Sequence, residues 1–141
     1  MDSVRVPNEI LIPEVGELLK EGMEVILMTR GSSMLPFIRG EKDSVRLKLR
    51  ESVRERDVVL AQISRGRYVI HRVIAVNGDV LTLKGDGNLR GTETCSLSDV
   101  LGTVEAVIGP DGKERPLREG RIWTRLGPLK RYILAIYRRI I

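Results

Sequence analysis

The sequence predicts a mostly β domain with a short helix at its N-terminal end and an amphipathic helix at its C-terminal end. Three observations carry that prediction. The chain has 141 residues, the length of one domain. Segments such as Ser44 to Leu49 and Arg67 to Val76 alternate polar and apolar residues with the period of a half-buried strand. Turn signals separate these segments: Gly31-Ser32-Ser33, Ser64-Arg65-Gly66, Asn77-Gly78 and Gly109-Pro110-Asp111-Gly112.

Residues 9–21 have an amphipathic helical pattern interrupted by Pro13 and Gly16. Glu24 to Thr29 reads as a strand that ends in the turn-rich segment Gly31 to Pro36, and Ser44 to Leu49 as the next strand. Asp57 to Ile63 and Arg67 to Val76 form two more. Asn77-Gly78 is a strong hairpin signal, because both residues tolerate the positive φ of a type I′ turn, and Leu81 to Lys84 is the return strand. Val100 to Ile108 is the last strand, and the pattern after Pro128 is helical. This divides the single domain into an N-terminal helical segment (1–22), a β body (23–112) and a basic helical tail (113–141).

Composition narrows the chemistry. With 42% hydrophobic and 30% charged residues, the chain has an ordinary globular balance and no need of disulfides to build a core. One cysteine, Cys95, excludes an internal disulfide and any multi-cysteine metal site. One histidine, His71, excludes mechanisms that need two imidazoles, including His-His-carboxylate zinc sites. No metal or organic cofactor is implied. The net charge of +5 is segregated: residues 1–112 carry 15 Lys/Arg against 17 Asp/Glu, and residues 113–141 carry nine against two. The sequence has neither the apolar core of a secretory signal, about 7 residues, nor the roughly 18 of a membrane span, so a cytoplasmic protein is expected.

Three segments carry candidate chemistry. In Gly31-Ser32-Ser33-Met34-Leu35-Pro36, a strand end runs into a glycine-containing loop, which exposes a serine hydroxyl and releases backbone N–H groups for an oxyanion. Standing alone, the segment is also an ordinary loop. On the strand Val69-Ile70-His71-Arg72-Val73, alternation groups His71 with Val69, Val73 and Ala75. There it reads either as a hydrogen-bonded core histidine or as a general base, since imidazole's ordinary pKa of about 6.5 suits proton transfer at neutral pH. The third segment, Lys84-Gly85-Asp86-Gly87-Asn88, is a turn. If Asn77-Gly78 is the two-residue loop, Val76 pairs with Asp79 and His71 faces Lys84. Asp86 is then a diagonal neighbour of His71 on the same face, at roughly 7–8 Å between backbones. A carboxylate there holds the imidazole in its working tautomer. A slip of one residue destroys this arrangement.

Taken in order, Gly-x-Ser-Met-x-Pro, His-Arg-Val and Lys-Gly-Asp-x-Asn resemble the type I signal peptidases, a clan that includes the self-cleaving LexA-type repressors. The closest resemblance is to the archaeal and endoplasmic-reticulum branch, whose base is histidine where bacterial relatives use lysine. The match covers Glu24 to Asn88. It implies a mostly β peptidase core in which Ser33 is the nucleophile, His71 the general base and Asp86 the residue that orients it. The Gly40-Glu41-Lys42-Asp43 turn resembles the Gly-Asp step that follows the serine motif in that family. Small residues before the cleaved bond of a leader or signal-type peptide are the implied substrate. Where bacterial relatives often carry an oxyanion-hole serine, this chain has Gly31, so the hole rests on the N–H groups of Ser33 and Ser32. A second family acid usually follows Lys-Gly-Asp; the nearest acid, Glu93, is not assigned to the site. The family's N-terminal membrane span has no counterpart in the sequence.

The reaction expected is therefore acyl transfer by a Ser-His pair on a peptide or protein substrate. Lys84 is the rival base, because the expected register sets it opposite His71 and clan relatives use lysine. It would be charged at neutral pH unless desolvated, and Asp86 beside it favours that charge. A different reading is an inactive module of the same fold that binds extended peptides along a strand edge. In the tail, Leu129, Tyr132, Ile133, Ile136, Tyr137 and Ile140 fall on one helical stripe among basic residues. That stripe packs on the body or lies in an anionic membrane surface. Nucleic acid is not an expected partner, because the β body is net acidic and offers no stacking platform.

Overall fold

Residues 3–7, 9–118 and 120–140 are described in the computed structural model, and among them nine strands join in one sheet. In chain order these are β1 (Ser3–Arg5), β2 (Glu24–Met28), β3 (Ser44–Lys48), β4 (Val58–Ser64), β5 (Arg67–Asn77), β6 (Val80–Lys84), β7 (Glu93–Ser96), β8 (Val100–Ile108) and β9 (Glu114–Arg115). Their spatial order is β1-β2-β3-β8-β4-β5-β6-β7, with β9 also paired to β8. The β1–β2 pair is parallel and the other pairs are antiparallel. Helix α1 (Ile12–Lys20) lies near the N-terminus, and α2 (Arg121–Arg125) and α3 (Leu129–Ile140) follow the sheet. A mostly β fold with short helices at its ends is what the alternating segments and turn signals require. The short strands β1, β7 and β9 and the helix α2 are additions to that reading.

Pro13 does not interrupt α1. It occupies the first turn, where its missing N–H has no intrahelical partner to lose. Val15 and Leu19 on this helix enter a core with Val25, Leu27, Val45, Leu47, Val58 and Leu60. A second cluster, on the alternate positions of β4 and on β5, β6 and β7, holds Val59, Ala61, Val73, Leu81, Leu83 and Cys95. Strand β4 therefore feeds both clusters, which explains why it reads Val-Val-Leu-Ala instead of alternating. Each fully buried valine or leucine contributes about 1.5–3 kcal/mol.

The β5–β6 hairpin departs from the expected register. Its loop is Gly78-Asp79, with Asn77 paired to Val80 and Val76 to Leu81. Gly78 has φ 63° and Asp79 has no positive φ, which fits a two-residue loop led by glycine more closely than one led by Asn77. A bulge at Ile74 then shifts the pairing, so that Val73 faces Leu83 and Arg72 faces Lys84. Lys84 is thus opposite Arg72 and not His71, and this corrects the register on which both Asp86 and Lys84 were attached to the histidine.

The tail helices pack on the body, along a face rotated about a quarter turn from the predicted stripe. Leu134 is fully buried with Trp123 and Leu35, and Ile133 and Tyr137 are half-buried beside them. Leu129, Tyr132 and Ile136 are instead exposed, at 56%, 66% and 59%. The side chain of Ile140 lies outside the described residues. Among the described residues, no helix is long and apolar enough to cross a membrane.

Candidate functional site

The Ser33 loop leaves the end of β2 and is held from below by the turn Arg39–Asp43. The Thr29 hydroxyl donates to the Asp43 carbonyl at 2.7 Å, and the Glu41 N–H donates to the Thr29 carbonyl at 2.8 Å. The Glu41 carboxylate accepts the Gly31 N–H at 3.1 Å. A methyl group on Gly40 would stand 2.0 Å from the Gly31 carbonyl oxygen, so only glycine lets the turn close on the loop. Asp43 is fully buried and accepts from the Arg39 backbone N–H at 2.8 Å and from the guanidinium groups of Arg39 and Arg115, each at 3.0 Å. Burial alone would raise the Asp43 pKa. The hydrogen bonds from Arg39 and Arg115 outweigh it and hold the carboxyl below its ordinary range.

The turn after β6 approaches the same loop from the other side. The Gly87 N–H donates to the Ser33 carbonyl at 2.7 Å. A methyl group on Gly85 would stand 2.4 Å from the Ser33 carbonyl oxygen and 3.1 Å from His71 Nε2. The missing side chain of Gly85 is therefore the space across which the Ser33 backbone and the imidazole meet. Ser33 and His71 both line an open groove of about 360 Å³, together with Leu27, Met34, Leu60 and Ile70. Among the described residues, no hydrogen bond joins the two side chains, and the Ser32 and Ser33 N–H groups have no described acceptor.

The carboxylate on His71 is Glu93. Its Oε1 is 2.6 Å from His71 Nδ1, with the histidine side chain 6% and the glutamate side chain 17% exposed. A carboxylate accepts only, so the proton of the neutral ring sits on Nδ1 and Nε2 keeps its lone pair toward Gly85 and the Ser33 loop. Glu93 reaches this position because β7 pairs with β6. Leu83 faces Glu93 on one side and Val73 on the other, and Val73 shares a face with His71. Nothing in Leu89 to Ser96 reads as a strong strand, so the one available signal for Glu93 was its place as the next acid after Lys-Gly-Asp.

Asp86 does not reach His71. It forms a buried ion pair with Arg72, with Nε to Oδ1 and Nη2 to Oδ2 both at 2.8 Å. Arg72 also donates to the Arg56 carbonyl at 2.7 Å and lies 5.3 Å from the centre of the Phe37 ring. The indole N–H of Trp123 donates to the Asp86 carbonyl at 2.7 Å, which fixes the turn to the tail. Lys84 lies on this side too. Burial lowers the pKa of Lys130 on α3, and the charge of Lys84 lowers it further. The arrangement sets one carboxylate on each face of β5, Glu93 for His71 and Asp86 for Arg72. Burial pushes the Cys95 thiol up, away from the reactive thiolate. Among the described residues, no cluster of His, Cys, Asp and Glu could hold a metal ion.

No protein-family model matches the chain, and no curated protein matches it in sequence.

Proposed function

We propose that the protein is a serine endopeptidase in which Ser33 is the nucleophile, His71 the general base and Glu93 the residue that orients the base. The observation that carries this reading is the position of His71: its Nδ1 is taken by Glu93, and its Nε2 points across Gly85 at the Ser33 loop. In the reaction, Ser33 Oγ passes its proton to Nε2 and attacks the peptide carbonyl. The oxyanion that forms is met by the N–H groups of Ser33 and Ser32, which have no acceptor among the described residues. The tetrahedral species collapses with cleavage of the C–N bond, and Nε2 returns the proton to the leaving amine. Water, deprotonated by the same nitrogen, then hydrolyses the acyl-enzyme.

The substrate class is an extended leader or signal-type peptide, its residues before the cleaved bond lying along the groove of Leu27, Met34, Leu60 and Ile70. The resemblance of the three motifs to the histidine branch of the type I signal peptidases supports the same reading. Lys84 has no part in it, because its register partner is Arg72.

The test is mass spectrometry of signal-type peptides incubated with wild-type protein, Ser33→Ala, His71→Ala and Lys84→Ala. Cleavage by the wild type and Lys84→Ala but not by the other two is expected. Identical peptide masses for wild type and Ser33→Ala across a broad set would overturn the peptidase in favour of a binding module. Activity that survives His71→Ala but not Lys84→Ala would overturn the base.

A further inference from the structure

Helix α3 has two apolar faces. One is spent on the body through Ile133, Leu134 and Tyr137. The other presents Leu129, Tyr132 and Ile136, spaced i, i+3 and i+7, and all three are more than half exposed. They form a ridge about 10 Å long at 1.5 Å per residue. Arg139 lies on the same side of the helix as this ridge and Arg131 about a quarter turn from Tyr132, and both are exposed; Arg138 turns back to the body, where its guanidinium donates to the Gly87 carbonyl at 3.4 Å. From Gly120 onward the sequence has six Lys/Arg and no Asp/Glu.

We infer that this face of α3 docks the protein on an anionic lipid surface, with Leu129, Tyr132 and Ile136 in the acyl boundary and the arginines on headgroup phosphates. Charge complementarity selects this occupant. A second copy of the same tail would set its six basic residues, with no acid among them, against six more. Three side chains also fall well short of the about 800 Å² that each partner gives a stable protein interface. Nucleic acid would use the arginines but leave the ridge in water. A lipid interface takes both parts: apolar side chains reach about 5–10 Å into the headgroup boundary, and basic residues gain from the negative surface potential. Tyr132 suits such a boundary, having an apolar ring and a polar tip. Because the opposite face of α3 is anchored by Leu134 beside Trp123, docking leaves the body's packing intact. The inference does not depend on the peptidase reading, since no residue of the ridge touches Ser33, His71 or Glu93.

The experiment is co-sedimentation of the full chain with phosphatidylglycerol–phosphatidylcholine vesicles and with phosphatidylcholine vesicles alone. It uses wild type, a Leu129→Ser/Tyr132→Ser/Ile136→Ser variant and an Arg131→Glu/Arg139→Glu variant. The substituted side chains are exposed, and unchanged circular dichroism verifies that each variant is folded. The wild type is expected to sediment with the anionic vesicles only, and each variant to lose at least about tenfold in partitioning. Three results would overturn the inference: no sedimentation of the wild type, equal binding to neutral vesicles, or undiminished binding by the serine variant. A dimer in sedimentation velocity that the serine substitutions dissolve, without vesicle binding, would assign the ridge to a second copy instead.

Discussion

His71 and Arg72 are consecutive residues on β5, and their carboxylate partners do different work. Glu93 accepts from an imidazole whose other nitrogen faces the groove, so its removal should change chemistry more than folding. Glu93→Gln keeps the size but frees the ring to adopt the wrong tautomer, and peptide cleavage is expected to fall by about 10²–10⁴. Asp86 pairs with a guanidinium that is 1% exposed, so its removal strands a buried charge. Asp86→Asn is expected to cost about 3–5 kcal/mol in urea unfolding. At a temperature where it is still folded, the Asp86→Asn variant should cleave peptide, because Asp86 touches neither Ser33 nor His71. The reverse pattern, Asp86→Asn stable but inactive and Glu93→Gln active, would return the orienting role to Asp86.

At the scale of elements, the difference between Asp86 and Glu93 comes from a single hairpin. Asn77-Gly78 is compatible with two loops, and the one adopted, Gly78-Asp79, shifts the β5–β6 pairing by two residues. A shift of two leaves every side chain on its expected face. The bulge at Ile74 takes one residue back, and the resulting odd offset moves Lys84 and Asp86 to the face of Arg72. The strands, the Ser33 loop and the face of His71 were legible because alternation and turn residues encode them locally. The bulge was not, because nothing in Val73-Ile74-Ala75 distinguishes a bulged residue from a paired one. Glu93 was hidden for the related reason that β7 is short and mostly polar, and pairs only with β6. The turn after β6 provides the test of this geometry. Gly85→Ala sets a methyl group 2.4 Å from backbone at Ser33, which flexible side-chain motion cannot relieve. Displacement of the Ser33 loop by about 1 Å is expected to reduce cleavage about 100-fold. Gly78→Ala at the far end of the hairpin has open space but a strained φ, and should cost about 1 kcal/mol with cleavage unchanged. Equal loss of cleavage in the two variants would mean that the hairpin acts through global stability, not through contact with the loop.

At the scale of the whole molecule, Asp43 ties distant parts of the chain together. Its carboxylate joins the Arg39–Asp43 turn beneath the Ser33 loop to Arg115 on β9, 72 residues away, and Arg115 also donates to the Phe37 carbonyl at 3.0 Å. Folding holds the Asp43 carboxyl below its ordinary range: burial opposes ionisation, but the hydrogen bonds from Arg39 and Arg115 prevail. A group with a depressed folded-state pKa contributes stability that is fully present above its unfolded value, about 3.9 for aspartate. That contribution is lost as pH falls through the lower folded-state value. Removing the charge by Asp43→Asn should cost about 3 kcal/mol at neutral pH, since it leaves Arg39 and Arg115 without their buried acceptor. The gap between wild type and variant should hold from neutral pH down to about pH 4 and close below it, as the wild-type carboxyl takes up its own proton. Urea midpoints of both proteins measured across that range separate this carboxyl from the others, which titrate alike in the two chains. A gap that stays constant into strong acid would mean that Asp43 holds the turn by shape alone and that its charge is not what joins β9 to the serine loop.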